Sequence, residues 1–152
     1  MMTIFSVLLF FWLQLQTSAP AERVVVGLVD QQQVLVENPR FSGFIQTRSG
    51  ESVLMYRQEN FHGEMPVRSI ARIDFGEYRR GMPLQLTVTL KNGQKLEVQT
   101  ERRDVLMVQG RTDTGMVVIK HPDPLNAPQR LGGRKPNRRE DLTISYLEFP
   151  AS

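Results

Sequence analysis

The chain has 152 residues, of which 40% are hydrophobic and 23% charged, and its formal net charge is +3. This is the composition of one globular domain or two very small ones, and it excludes a disordered chain. The absence of cysteine excludes disulfides, thiolate nucleophiles and cysteine-ligated metals, and two histidines are too few for a histidine-based metal site. The common nucleotide-binding, hydrolase and metalloprotease motifs are missing, so we expect no enzyme, no metal and no cofactor.

The N-terminus has the pattern of a secretory signal. Residues 1–15 include twelve apolar side chains, about half of the roughly 20 residues that a membrane-spanning helix needs. Ala19-Pro20-Ala21 then places small side chains at the two positions that a signal peptidase reads. We predict a signal helix over 1–21 and a periplasmic or secreted mature chain, 22–152, with no stable membrane span after cleavage. An uncleaved anchor or a buried N-terminal helix is the alternative.

Beyond this leader the apolar residues recur with a period of two, which predicts strands with one buried face. The clearest case is residues 84–90, where leucine and valine alternate with glutamine and threonine. Asn92-Gly93 follows and is typical of a tight two-residue hairpin turn of type I′. We predict an all-β fold of ten or eleven strands. Further predicted strands lie at 24–29, 34–36, 52–56, 70–75, 96–98, 105–108, 116–119 and 144–149.

A short motif occurs twice in the sequence. Val53-Leu54-Met55 recurs at a sequence offset of 52 as Val105-Leu106-Met107, and each valine is followed ten positions on by a glycine, Gly63 or Gly115. We expect both glycines to allow a close backbone approach or a bulge.

Both copies end on a similar strand, 70–75 in the first and 144–149 in the second, so the sequence offset of this strand is 74. Since 74 exceeds 52 by 22, the second copy contains an insertion, which falls at 121–141. We predict two similar, small, strongly bent β-units, about 24–75 and 84–149, packed as one barrel or sandwich. Coincidence between two ordinary hairpins is the alternative.

The segments VTLKNGQKLEV, GRTDTGMVVI and LTISYLEF resemble the units of Sm-like and SH3-like proteins. This resemblance implies a small, strongly bent barrel. The strand after Asn92-Gly93 lacks the glycine that Sm-like proteins usually place there, and no Met-Asn dipeptide follows for base recognition. We therefore do not expect RNA binding, and we predict no nucleic-acid partner.

The inserted segment contains the basic residues of most interest. The stretch 129–139 carries a charge of +5 and no acidic residue, so the rest of the chain carries −2. Its glycines and prolines predict a loop, and arginine forms bidentate contacts with phosphate and carboxylate groups. We predict a non-catalytic binding or structural module of the cell envelope that contacts an anionic envelope component or an acidic protein. A solvated loop that binds nothing is the alternative. The predicted anion-binding residues are Arg130, Arg134, Lys135, Arg138 and Arg139.

Asp113-Thr114-Gly115 matches the Asp-Thr-Gly of aspartic proteases, in which paired carboxylates activate water. An aspartic-protease-like hydrolase that uses Asp113 in a homodimer is therefore the alternative function. However, Arg111-Thr112 precedes the aspartate where the family has a buried apolar strand, so we expect a turn.

The remaining candidates are expected to lie on the surface. We predict that His62 and His121 are surface or turn residues. Arginines around the first closing strand and before the second motif are expected to be solvated charges that discourage aggregation, although they could extend a basic surface. These arginines are Arg68, Arg72, Arg79, Arg80, Arg102 and Arg103.

Overall fold

The computed structural model describes residues 22–79, 81–101, 105–122 and 143–151. The predicted signal helix over 1–21 and the basic stretch 129–139 lie outside these residues. The described part contains eleven strands and a single turn of 3₁₀ helix, with no α-helix, which confirms the all-β prediction. Over the same ranges, no helix has the length and apolar character needed to span a membrane.

The strands agree with the predicted runs, with two additions. Neither β3 nor β5 was predicted, because β3 is short and polar and β5 contains a glycine and ends in a proline. The elements in chain order are β1 (Arg23–Leu28), β2 (Gln33–Ser42), β3 (Ile45–Arg48), β4 (Glu51–Gln58), β5 (Phe61–Pro66), the 3₁₀ turn (Val67–Ser69), β6 (Ile70–Phe75), β7 (Gln85–Leu90), β8 (Lys95–Gln99), β9 (Leu106–Thr112), β10 (Gly115–His121) and β11 (Ile144–Glu148).

All eleven strands belong to one sheet that curls into a half-barrel. The order is β10-β9-β2-β1-β11-β6-β7-β8-β4-β3, and β5 pairs with β4 outside this path. Every pairing is antiparallel. The first and last of the described strands are therefore neighbours near the middle of the sheet, where β1 pairs with β11 and β11 pairs with β6.

The inner face of this curl forms one hydrophobic core. Leu86 and Val88 on β7 are fully buried while Gln85, which precedes Leu86, is exposed, as the period of two predicts. At the middle of the sheet, Ile73 on β6 and Leu147 on β11 are also fully buried and lie opposite each other. Burial of each such side chain stabilises the fold by about 1.5–3 kcal/mol.

The hairpin predicted at Asn92-Gly93 is present, but its turn has three loop residues. The Leu90 amide donates to the Gln94 carbonyl at 2.8 Å, and the Gly93 amide donates back to the Leu90 carbonyl at 2.9 Å. Only Gly93 has a positive φ, +88°, whereas a type I′ turn requires one at both central residues. The type I′ prediction is therefore wrong, because the Asn92 side chain instead accepts a hydrogen bond from the Gln94 amide at 2.9 Å.

The two glycines that mark the repeated motif occupy different positions in their hairpins. Gly63 lies within β5 opposite Tyr56, where a Cβ would stand 2.6 Å from the tyrosine ring. This confirms the close approach predicted for Gly63. Gly115 instead closes the turn between β9 and β10 with a φ of +127° and open space around it, so the prediction of a close approach is wrong there.

Candidate functional site

The predicted insertion leaves and rejoins the described fold at one point. Its last described residues before the gap follow β10, which ends at His121, and β11 begins at Ile144. The Ile144 amide donates a hydrogen bond to Nδ1 of His121 at 3.0 Å, and each of these residues is only 1% exposed. A shielded bond therefore joins the two ends of the segment that contains the predicted anion-binding residues.

His121 is buried, so its expected surface position is wrong. The strand period explains this result, because His121 shares the inner face of β10 with Val117 and Ile119. The imidazole ring packs edge-on against Phe75, with 4.9 Å between ring centroids, and against Tyr78 at 6.1 Å. The histidine is thus an aromatic component of the core at the base of the insertion.

The hydrogen bond to Ile144 requires a neutral histidine with an unprotonated Nδ1. Burial lowers the pKa of His121 to about 4 from its ordinary value of 6.5, so the ring is neutral near pH 7. The neutral ring then carries its proton on Nε2, which has no hydrogen-bond partner among the described residues. Within the same residues, no group of three histidine or carboxylate side chains is placed to hold a metal ion.

A second polar cluster lies on the outer face at the middle of the sheet. Arg72 donates to Asp74 at 2.9 Å and to Glu148 at 3.3 Å, and its guanidinium lies 3.9 Å from the centroid of the Tyr146 ring. Gln33 donates to the Tyr146 hydroxyl and extends the cluster to β2. The Arg72 side chain is 38% exposed, so its expected role as a merely solvated charge is wrong. It cross-links two neighbouring strands.

Asp113 lies at the tip of the hairpin between β9 and β10, which confirms the predicted turn. Thr112 and Gly115 pair across this turn, and Asp113 is exposed. The Thr112 hydroxyl accepts a hydrogen bond from the Thr114 amide at 3.3 Å. The hydrolase alternative stays a prediction, and an acid-pH peptidase activity that is unchanged in Asp113→Asn would contradict it.

His62 is exposed on β5, as predicted, and its Nδ1 lies 2.7 Å from a carboxylate oxygen of Glu101. Arg68 has the same character, since it is 77% exposed and pairs with Glu51 at 3.0 Å. Both side chains make exposed contacts with carboxylates, and exposed contacts of this kind contribute little to stability. Among the described residues, these side chains do not assemble into a basic surface with a defined geometry. Three of the predicted surface arginines, Arg80, Arg102 and Arg103, lie outside the described residues.

The structure therefore describes the surroundings of the predicted binding segment, while Arg130, Arg134, Lys135, Arg138 and Arg139 lie outside the described residues. Two features of the structure were not predicted, the buried His121 and the Arg72 cluster. Both carried a usable signal. His121 continues the alternation of Val117 and Ile119, and an arginine two residues from Asp74 on a strand shares its outer face.

Comparison of the chain with protein-family models, with curated proteins and with solved structures finds no match. The geometry of the described residues and the charge pattern of the sequence are therefore the basis for a functional proposal.

Proposed function

We propose that the protein is an exported, non-catalytic binding or structural module of the cell envelope, and that its 129–139 loop contacts an anionic partner. The observation that carries this proposal is the buried hydrogen bond between Ile144 and His121. It supports an all-β scaffold that holds together the two ends of the intervening segment. Export is supported by the signal pattern of residues 1–21.

We also propose that the scaffold consists of two similar half-units, about 24–75 and 84–149, the second of which contains the insertion. The sheet order supports this division, because the closing strands of the two half-units, β6 and β11, are adjacent at the middle of the sheet. Neither closing strand lies at an edge, so both half-units contribute to one continuous core.

The charge distribution supports an anionic partner. The stretch 129–139 carries +5 while the remainder of the chain carries −2, so the positive field is concentrated in one segment. Four of its five cations are arginines, whose guanidinium groups match the geometry of phosphate and carboxylate oxygens. The Ile144–His121 hydrogen bond holds the two ends of this segment together at the sheet.

Co-sedimentation with lipid vesicles tests the binding proposal. We expect the mature chain, 22–152, to bind phosphatidylglycerol vesicles and not phosphatidylcholine vesicles, and to release them as the salt concentration rises, because exposed charges are screened. Replacing the five loop cations by glutamine should weaken binding at least tenfold. Binding that is equal for both lipids, or unchanged in this variant, would contradict the proposal.

A matched control removes the same amount of charge from the sheet. Five exposed cations on strands and turns are replaced by glutamine, so that the net charge of the two variants is equal. We expect this control to bind anionic vesicles within about twofold of the wild type. Equal losses in the two variants would show that total charge, and not the loop, determines binding. The control positions are Arg40, Lys91, Lys95, Arg111 and Lys120.

Export is tested separately by fractionation of cells that express residues 1–152, with measurement of the intact mass. We expect the protein in the secreted or periplasmic fraction with a mass that lacks residues 1–21. A full-length protein in the cytoplasmic fraction would contradict export and leave the vesicle result unaffected.

A further inference from the structure

The turn between β1 and β2, at 28–32, has the same hydrogen bonds as the turn between β7 and β8, at 90–94. The amide of Leu28 donates to Gln32 and that of Leu90 to Gln94, both at 2.8 Å. The return bonds, from Gln31 to Leu28 and from Gly93 to Leu90, measure 3.0 and 2.9 Å. Side-chain bonds complete both turns, from Gln32 to Asp30 at 3.0 Å and from Gln94 to Asn92 at 2.9 Å. In both turns the third loop residue has a positive φ, +70° at Gln31 and +88° at Gly93.

The closing strands β6 and β11 are related by a sequence offset of 74. Strand β11 pairs with β1 and strand β6 pairs with β7, and these two pairings have the same register. Val26 on β1 lies opposite Leu147, and Val88 on β7 lies opposite Ile73. The same irregularity follows in both pairings, since Ile144 lies opposite Leu28 and its counterpart Ile70 lies opposite Leu90. Ser145 and Ala71 are the extra residues at these two bulges.

The pairing of β6 with β11 is symmetric about Ile73 and Leu147, which lie opposite each other. Arg72 pairs with Glu148, and the residues that the offset of 74 relates to this pair, Tyr146 and Asp74, pair with each other. The register therefore maps onto itself when the two strands are exchanged. This is the register expected at a local two-fold axis.

The remaining strands follow the same symmetry, except β3, which pairs with β4 and has no counterpart among the described strands. From the centre outward the sheet reads β6-β7-β8-β4 in one direction, with β5 paired to β4, and β11-β1-β2-β9-β10 in the other. Each outer hairpin has a short turn of two residues, 59–60 in one and 113–114 in the other, so the offset between these turns is 54. The offset of 52 found for the sequence motif is thus smaller by two than the offset between the turns.

The chain order does not follow this division of the sheet. Along the chain, each copy supplies a first hairpin, a second hairpin and a closing strand, and the first copy has β3 in addition, before its second hairpin. The first hairpin of the first copy, β1–β2, lies between β11 and β9 of the second copy, and β7–β8 lies between β6 and β4 of the first. We infer that the protein is a duplicated five-strand unit whose two copies have exchanged their first hairpins. This inference rests on the two-unit part of the proposed function.

The symmetry also locates the insertion. The sequence offset rises from 54 at the outer hairpins to 74 at the closing strands. The second copy is therefore longer by twenty residues between its outer hairpin and its closing strand. In the first copy the Ile70 amide donates to the Val67 carbonyl across the 3₁₀ turn. In the second copy the Ile144 amide donates to the His121 side chain. His121 is at the position of Val67, so a side-chain nitrogen there accepts the bond that the Val67 carbonyl accepts in the first copy.

Engineered disulfides in the full mature chain test the exchange, and the chain contains no native cysteine to interfere. The test pairs lie on the outer face and join strands of different copies: Val25→Cys with Glu148→Cys, and Thr87→Cys with Asp74→Cys. Directly opposed residues have Cβ atoms about 4.5–5.5 Å apart, close enough for a disulfide after small shifts. We expect both pairs to form a disulfide in more than half of the folded molecules.

The matched controls pair the same four positions within each copy: Val25→Cys with Asp74→Cys, and Thr87→Cys with Glu148→Cys. If the hairpins are exchanged, another strand lies between the two positions of each control pair. We therefore expect no disulfide in either control. Oxidation is read by intact mass and by gel mobility without reductant. Disulfides in the control pairs, or none in the two test pairs, would overturn the inference. Anion binding is not measured, so this outcome is independent of the vesicle test.

Discussion

The ring of Tyr146 on β11 covers the backbone of Gly27, its partner on β1. A Cβ at position 27 would stand 2.1 Å from Cε1 of the tyrosine ring, so the ring occupies the space of a side chain. The ring also stacks against the Arg72 guanidinium, and the tyrosine hydroxyl accepts a hydrogen bond from Gln33. The glycine therefore allows the outer-face cluster to pack onto the sheet.

Gly27→Ala should destabilise the protein by roughly 1–3 kcal/mol, because the added methyl group must displace a ring that other contacts hold in place. Urea unfolding followed by circular dichroism measures the change. In the background of Tyr146→Ala, which vacates the space, the same substitution should cost less than half as much. An equal cost in both backgrounds would show that the ring is not the cause.

Stability should fall as the pH is lowered from 6.5 towards 4, because the unfolded state takes up a proton on His121 that the folded state does not. Burial lowers the pKa of His121 in the fold to about 4, below its ordinary value of 6.5. The unfolded chain binds more protons than the folded chain in this pH range. Protonation of His121 should therefore lower the free energy of unfolding by roughly 2 kcal/mol between pH 7 and pH 4.5. Urea midpoints across this range measure the effect.

His121→Asn is the informative variant for this pH dependence, since the Asn Oδ1 can accept the Ile144 hydrogen bond without titrating. Its free energy of unfolding should decline less steeply with acid than that of the wild type. Parallel profiles for wild type and His121→Asn would contradict the assignment.

The two recurring turns differ at one residue with a left-handed backbone, which is Gln31 in the first and Gly93 in the second. Gln31→Gly should stabilise the protein by about 0.5–1 kcal/mol, because glycine adopts a positive φ without the steric cost that a Cβ adds. Gly93→Gln should cost a similar amount. Thermal unfolding measures both, and changes of the same sign in the two variants would count against equivalent turns.

Arg72→Gln should destabilise the protein by about 1 kcal/mol or less, because the arginine is partly exposed and water screens its contacts with Asp74 and Glu148. Most of this cost should disappear at about 1 M salt, where exposed charges are screened. The control Arg79→Gln removes a single exposed ion pair with Glu77 and should have almost no effect. A larger loss for Arg79→Gln would contradict the role given to the Arg72 cluster.

The strands were predictable wherever side-chain burial imposes a period of two. The alternation at Leu86 and Val88 predicted β7, and the turn residues Asn92-Gly93 predicted the hairpin that follows it. β3 and β5 were not predicted because their pairing with β4, and not their own pattern, holds them in the sheet. The type of the β7–β8 turn was missed because a side-chain hydrogen bond of Asn92 competed with the backbone preference.

The surroundings of the candidate site were harder to predict from the sequence. The strand alternation indicates the inner face for His121, but its partners Phe75, Tyr78 and Ile144 come from other strands and a loop. No local pattern predicts that these residues meet. Likewise, Arg72 and Glu148 are far apart in the chain and meet only because β6 pairs with β11. The charge of the stretch 129–139, by contrast, is a property of composition and could be derived from the sequence directly.

The contact of Ile144 with His121 has a consequence for protein engineering. Because the chain returns to the sheet where it departs, the length of peptide between these residues places no constraint on the registers of β10 and β11. Foreign epitopes or reporter peptides could therefore be grafted at this junction, so that the protein displays chosen sequences on an unchanged framework.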